Sequence, residues 1–152
     1  MTHQVTVSEV AARPTATIAA TTTWQAFPAL WPGLLDEVWD CLRAGGISRG
    51  CRNVMLYRDD VPNVEVGVAL DVPCRLTGRV TASALPAGPV ATTVHRGSYA
   101  GLGAAHQAVA DWCAAHARQP AGPRWEVYGP HHDDPAEVWT EVCWLLRPDP
   151  VR

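Results

Sequence analysis

The stretch PVATTVHRG (residues 89–97), followed by YAGLGAAHQAVADWCAAHA (residues 99–117), RWEVY (Arg124–Tyr128) and EVWTEVCWLL (Glu137–Leu146), reads as strand, helix, strand, strand. The first segment is rich in β-branched residues, which fit a pleated surface. In the second, Leu102, Ala105, His106, Val109 and Trp112 recur at helical spacing. The last two are short β-branched and aromatic runs bounded by Gly and Pro, and Pro148 ends the last. The loop between them, His131-His132-Asp133-Asp134, is polar and reads as a solvated hairpin loop. It offers no i, i+4 pair of helical ligands and no neighbouring Cys, so no metal site is assigned.

Working back toward the N-terminus, the same order occurs once more. ATIAATTTW (Ala16–Trp24) suits a strand. Pro28 and the Trp31-Pro32-Gly33 step mark a helix start, and Leu34, Leu35, Val38, Trp39 and Leu42 continue at helical spacing until Gly45-Gly46. NVMLY (Asn53–Tyr57) and VEVGVAL (Val64–Leu70) are strands around a turn at residues 59–63. A shift of 71 positions takes Thr21-Thr22 to Thr92-Thr93, Val38 to Val109, Asp40 to Asp111 and Tyr57 to Tyr128 without a gap. Allowing for a longer second hairpin loop, Glu65-Val66-Gly67-Val68 lines up with Glu141-Val142-Cys143-Trp144.

The chain therefore reads as an α+β fold built from a duplicated β-α-β-β unit. The domain covers residues 15–147, with pseudo-repeats at about 15–72 and 78–147. Residues 1–14 read as a tail or edge segment, and residues 148–152 as a C-terminal tail. One such unit covers a single face of three strands with one helix and is marginal alone. Two copies joined into one antiparallel sheet, helices on one side, leave a central cleft, where ligand sites favour forming.

Composition bounds the function. The 152 residues are 47% hydrophobic and 18% charged, enough for one packed core. The net charge of -3 argues against direct nucleic-acid binding. No apolar run is long enough to span a membrane, and the N-terminus lacks the basic start and apolar core of a signal peptide, so a cytoplasmic protein is expected. Five cysteines with no C-x-x-C pair read as free thiols, Cys113 and Cys143 as buried apolar ones. His95 and His106 have no nucleophile motif beside them, and no cofactor fingerprint is present. Seven Trp against one Phe offer flat amphipathic surfaces for packing or for stacking on ligands.

The combination of His95, Gly97, Tyr99 and Leu102, the Tyr128-Gly129-Pro130 strand end and the Thr140-Glu141-Val142 final strand resembles the GyrI-like small-molecule-binding domain. The same domain serves as the effector-binding domain of AraC-type and MerR-type multidrug-responsive regulators. The likeness covers roughly residues 15–147. It implies the duplicated fold, bulky apolar and often cationic or polyaromatic ligands, aromatic stacking residues, and an acidic residue on the final strand at the pocket floor, a position that Glu141 matches. Stand-alone members resemble hydrolases that open strained cyclopropane rings of DNA-alkylating natural products, which would make Glu141 the catalytic group. A third implication is a protein that binds and inhibits a larger enzyme such as gyrase.

The residues themselves sharpen the site. Strand alternation puts Trp139, Glu141 and Cys143 on one face and Thr140, Val142 and Trp144 on the other, with Trp144 directed to the helix-packed core. A carboxylate within so apolar a strand faces solvent or a cleft, or carries a desolvation cost. The ligand-binding set is thus Glu141, Trp139, Tyr99, Tyr128, Tyr57 and Trp31, with Trp39 in the core and Glu65, the symmetry mate of Glu141, on a solvated strand face. The partner is a hydrophobic or cationic small molecule.

Overall fold

The computed structural model describes residues 3–149. β1 (Thr6–Val10) and β2 (Arg13–Thr21) precede α1 (Phe27–Ala44), β3 (Arg52–Tyr57) and β4 (Asn63–Ala69). β5 (Thr81–Leu85) and β6 (Gly88–Arg96) precede a single 3-10 turn (Tyr99–Gly101), α2 (Leu102–Ala115), β7 (Pro120–Tyr128) and β8 (Trp139–Leu146). The fold is α+β. One antiparallel sheet has the order β1-β6-β8-β7-β3-β4-β2-β5. The two repeats meet at β3 and β7.

The sheet is curled, and chain length alone demands it. β1 and β2 stand near opposite ends of the order but are joined only by Ala11 and Ala12. Three Cα steps reach at most about 11 Å. Pro86 and Ala87 impose the same limit between β5 and β6. Each repeat's leading strand therefore crosses to the other repeat: β1 pairs with β6, and β5 with β2. The segment read as a tail or edge segment is in fact edge strand β1, and β2 begins at Arg13, earlier than the apolar run indicates.

Alternation sorts the strand residues into two faces. On one, α1 packs over β2 and β4 and α2 over β6 and β8. Ile18, Val66, Val38 and Leu42 form the core under α1; Ala91, Val142, Val109 and Cys113 form the core under α2. On the helix-free face, Val54, Leu56, Trp125 and Val127 close a third core inside the curl. Gly67 is required by close strand approach, since a Cβ there would lie 1.9 Å from the carbonyl oxygen of Ala16.

The repeat register holds through the helices, whose buried residues Leu34, Val38 and Leu42 correspond to Ala105, Val109 and Cys113. It slips between β2 and β6, the strands before the helices. Ile18 pairs with Val66, and Thr93 with Val142, so Ile18 rather than Thr22 stands in the place of Thr93. Residues 22–26 and 97–101 make connections of equal length into the two helices, so the slip comes from the helices themselves: α1 has 18 residues and α2 has 14, and the difference, one turn at the start of α1, is concealed by an ungapped comparison. α1 also begins before the Trp31-Pro32-Gly33 step: Pro28 sits in its first turn and Pro32 lies inside it. All five cysteines are free. Among the described residues, no helix is long and apolar enough to cross a membrane.

Candidate functional site in the central cleft

The helices pack mainly over the outer strands of their repeats and reach the two central strands from either side: Phe27 of α1 lies against Tyr57 of β3, and His106 of α2 meets Glu126 of β7. The cleft between α1 and α2 over these strands holds two cavities of about 330 Å³ and 680 Å³, which share Tyr57, Leu102 and Glu126 as their dividing wall. Met55 and Glu126 are directly paired across β3 and β7, and the shift of 71 positions that relates the repeats carries Met55 onto Glu126. The pseudo-twofold axis thus passes between these two residues. At the centre of the cleft, the first repeat supplies a thioether and the second a carboxylate.

Glu126 is 5% exposed. Tyr57 donates its hydroxyl hydrogen to Glu126 Oε1 at 2.9 Å, and Tyr128 donates to the same oxygen. His106 Nε2 lies 2.7 Å from Glu126 Oε2, and Trp144 Nε1–H donates to His106 Nδ1 at 2.9 Å. Because indole nitrogen is donor-only, His106 Nδ1 is the acceptor, and the ring presents its Nε2–H to Glu126. Burial opposes the charge on Glu126. The hydrogen bonds from His106, Tyr128 and Tyr57 outweigh it and hold the carboxyl below its ordinary range. Burial and the adjacent Glu126 charge push the phenols of Tyr57 and Tyr128 up, so both stay protonated donors.

Aromatic groups surround this carboxylate. In the smaller cavity, Phe27, Trp31, Tyr99 and Tyr128 form walls with Leu35 and Met55. Tyr99 stands edge-on to Tyr128, ring centroids 5.7 Å apart, and is 56% exposed at the mouth. Its 3-10 turn is held by His95, whose Nε2 lies 2.8 Å from the Ser98 carbonyl oxygen. Gly101 lies so close to that imidazole that a Cβ would be 2.5 Å from its Cε1. In the larger cavity, the Arg124 guanidinium lies 5.6 Å from the Trp24 ring and 5.3 Å from the Trp144 ring, and it pairs with Asp60 at 2.9 Å.

The structure brings together four of the six residues singled out from sequence: Tyr57, Tyr99, Tyr128 and Trp31. It does not place Glu141 and Trp139 with them. Both occupy odd positions of β8 and face away from the helices, as Cys143 does in the helix-free core. Glu141 lines a separate cavity on that face, and Trp139 packs against Gly129 with Arg52 5.8 Å from its ring. The acid in the cleft is therefore Glu126, on the strand before the last. Glu65, expected to be solvated, is 4% exposed on the helix-free face and is held by Thr17 and Arg58. Glu126, His106, Trp24 and Arg124 were not assigned to the site from sequence. The signal for Glu126 was present, since in RWEVY it alternates onto the same face as Tyr128. Among the described residues, no group of three His, Cys, Asp or Glu side chains is placed to hold a metal ion.

An eight-stranded duplicated sheet with an aromatic cleft on its pseudo-axis defines a class of ligand-binding domain. The chain belongs to the GyrI-like small molecule binding domain family, which it matches over residues 3–147. Solved structures carry the same fold at low identity. The EcmrR C-terminal domain aligns with a TM-score of 0.78 at 19% identity, over 98% of this chain and 100% of that one. SAV2435 bound to tetraphenylphosphonium aligns with a TM-score of 0.66 at 14% identity, over 97% and 94%. A hydrolase from Listeria innocua aligns with a TM-score of 0.60 at 10% identity, over 96% and 93%. No curated protein matches the chain.

Proposed function

We propose that the central cleft binds bulky apolar cations, with Glu126 as counter-charge and Trp31, Tyr57, Tyr99 and Tyr128 as flat walls. The observation that carries this reading is an ionised, 5% exposed carboxylate on the wall shared by two aromatic cavities. Three donors, Tyr57, Tyr128 and His106, orient that carboxylate. A cation over an aromatic face gains about 0.5–2 kcal/mol, more when desolvated. Several such walls around one carboxylate reach micromolar affinity, about 8 kcal/mol, without directional hydrogen bonds to the ligand. Polyspecific binding follows, because shape and charge are read rather than a hydrogen-bond pattern.

The tetraphenylphosphonium bound to SAV2435 supplies a probe of the right chemistry. Titration of the protein with this cation, followed by Trp fluorescence, should show saturable quenching. The neutral triphenylphosphine oxide should bind at least tenfold more weakly. Equal affinity for the two would refute the charge assignment. The biological role that fits is sensing or sequestration of drug-like cations in a cytoplasmic setting. The strained-ring hydrolase reading is not favoured at Glu126, both of whose oxygens are already engaged by donors. Conversion of a strained electrophile at a rate abolished in Glu126→Gln would reinstate it.

A further inference from the structure

The helix-free face carries a second cavity, of about 450 Å³, on the opposite side of β7 from the cleft. Its floor is apolar: Trp125, Val90 and Val127 are each less than 5% exposed. Two charged residues of opposite sign line it, Glu141 from β8 and Arg13 from the start of β2. The curl of the sheet brings these together, since β8 and β2 are far apart in the strand order. Neither is ion-paired among the described residues. Among the described residues, the hydrogen bond to the Glu141 side chain is a weak one, from the Cys143 thiol at 3.5 Å. Burial, together with the Glu141 charge, pushes that thiol up, so it remains a protonated donor and supplies no cation.

Charges on a cavity wall lose part of their hydration, and the loss is recovered only by a partner of opposite sign. A purely cationic ligand would satisfy Glu141 and be repelled by Arg13; an anion would meet the reverse. We propose that this cavity is a second binding site, for zwitterions with an apolar body, whose ammonium pairs with Glu141 and whose carboxylate pairs with Arg13. A site of this volume falls within the range of small-molecule pockets. It is separate from the cation cleft and does not depend on that assignment.

The probe is the dipeptide phenylalanyl-leucine, compared below about pH 7 with its N-acetyl and C-terminal amide derivatives, so that the free amine is charged. The parent should bind saturably and shift the NMR signal of the Trp125 indole. Each blocked form should bind about tenfold more weakly. Glu141→Gln should erase the difference between the parent and the acetylated peptide, and Arg13→Gln the difference between the parent and the amide. Thermal unfolding of both variants at the wild-type temperature establishes that each is folded. No saturable binding of the parent would overturn the proposal, as would blocked forms that bind as tightly as the parent. Competition of the dipeptide by tetraphenylphosphonium, with no response to Glu141→Gln, would place the dipeptide in the cleft instead and would equally overturn it.

Discussion

The two repeats share a backbone plan and differ where they meet. Met55 and Glu126 correspond by the repeat shift and pair directly across the central strands, yet one is apolar and the other ionised. Tyr57 and Tyr128 also correspond, and both donate to the same oxygen of Glu126. The scaffold is therefore pseudo-symmetric while its chemistry is not. Duplication builds a concave seam cheaply, and a single substitution on the axis then gives the seam a charge. A carboxylate from each repeat would place two like charges side by side, and one of them would be forced to neutralise.

That comparison can be broken by making the repeats more alike. The largest effect is expected at Gly67, whose counterpart in the second repeat is Cys143. Cys143 packs in the helix-free core and accepts a hydrogen bond from Thr92, whereas a Cβ at Gly67 would strike backbone. Gly67→Cys should destabilise the protein by about 3 kcal/mol, the upper end of ordinary overpacking. Urea denaturation would measure it; a change below 1 kcal/mol, on the order of a surface substitution, would mean that β2 yields to β4.

The matched pair Val38 and Val109, both fully buried under their own helices, tests whether the repeats unfold together. Each Val→Ala should cost about 2 kcal/mol from lost burial and the cavity left behind. In one cooperative unit both variants should shift the whole transition, read at matched far-UV and Trp signals. Separate transitions would show that the repeats are stable independently, against the crossing of β1 and β5.

Glu126 sets an acid limb of stability. Its carboxyl lies below the ordinary value of about 4.3 because the surrounding donors favour the charged form. A depressed native value contributes stability that is fully present above the unfolded value and lost as pH falls through the native one. Wild type should therefore lose stability below about pH 4 more steeply than Glu126→Gln, as thermal melts across pH would show. Parallel curves would contradict an ionised Glu126. The smallest effect belongs to Tyr99, exposed at the cleft mouth. Tyr99→Ala should weaken tetraphenylphosphonium binding about threefold, one aromatic face's worth, and change stability by less than about 0.5 kcal/mol.

The fold was legible because duplication leaves a pattern that survives low identity. Val38 with Val109 and Tyr57 with Tyr128 locate the helices and the central strands. β1 was not legible as a strand, since TVSEV is exposed at the sheet edge and its pairing with β6 comes from the curl, which no local pattern encodes. The aromatic walls were legible one by one. The sequence draws attention to Glu141, which stands out against apolar neighbours, rather than to Glu126, which is flanked by Trp125 and Val127 in a shorter run. Alternation alone separates them: Glu126 shares a face with Tyr128, and Glu141 opposes Trp144. His106 and Trp144 meet only through packing of α2 on β8, at 2.9 Å, a contact with no trace in sequence spacing.

Glu126 and Glu141 lie on opposite faces of the sheet, and only one of them can serve the cleft. Calorimetric titration of wild type, Glu126→Gln and Glu141→Gln with tetraphenylphosphonium and triphenylphosphine oxide tests this directly. Glu126→Gln is predicted to weaken the cation at least tenfold, about 1.4 kcal/mol, and the neutral compound less than twofold; Glu141→Gln should leave both unchanged. Loss of cation binding in Glu141→Gln with none in Glu126→Gln would contradict the account and move the cation site to the other face of the sheet.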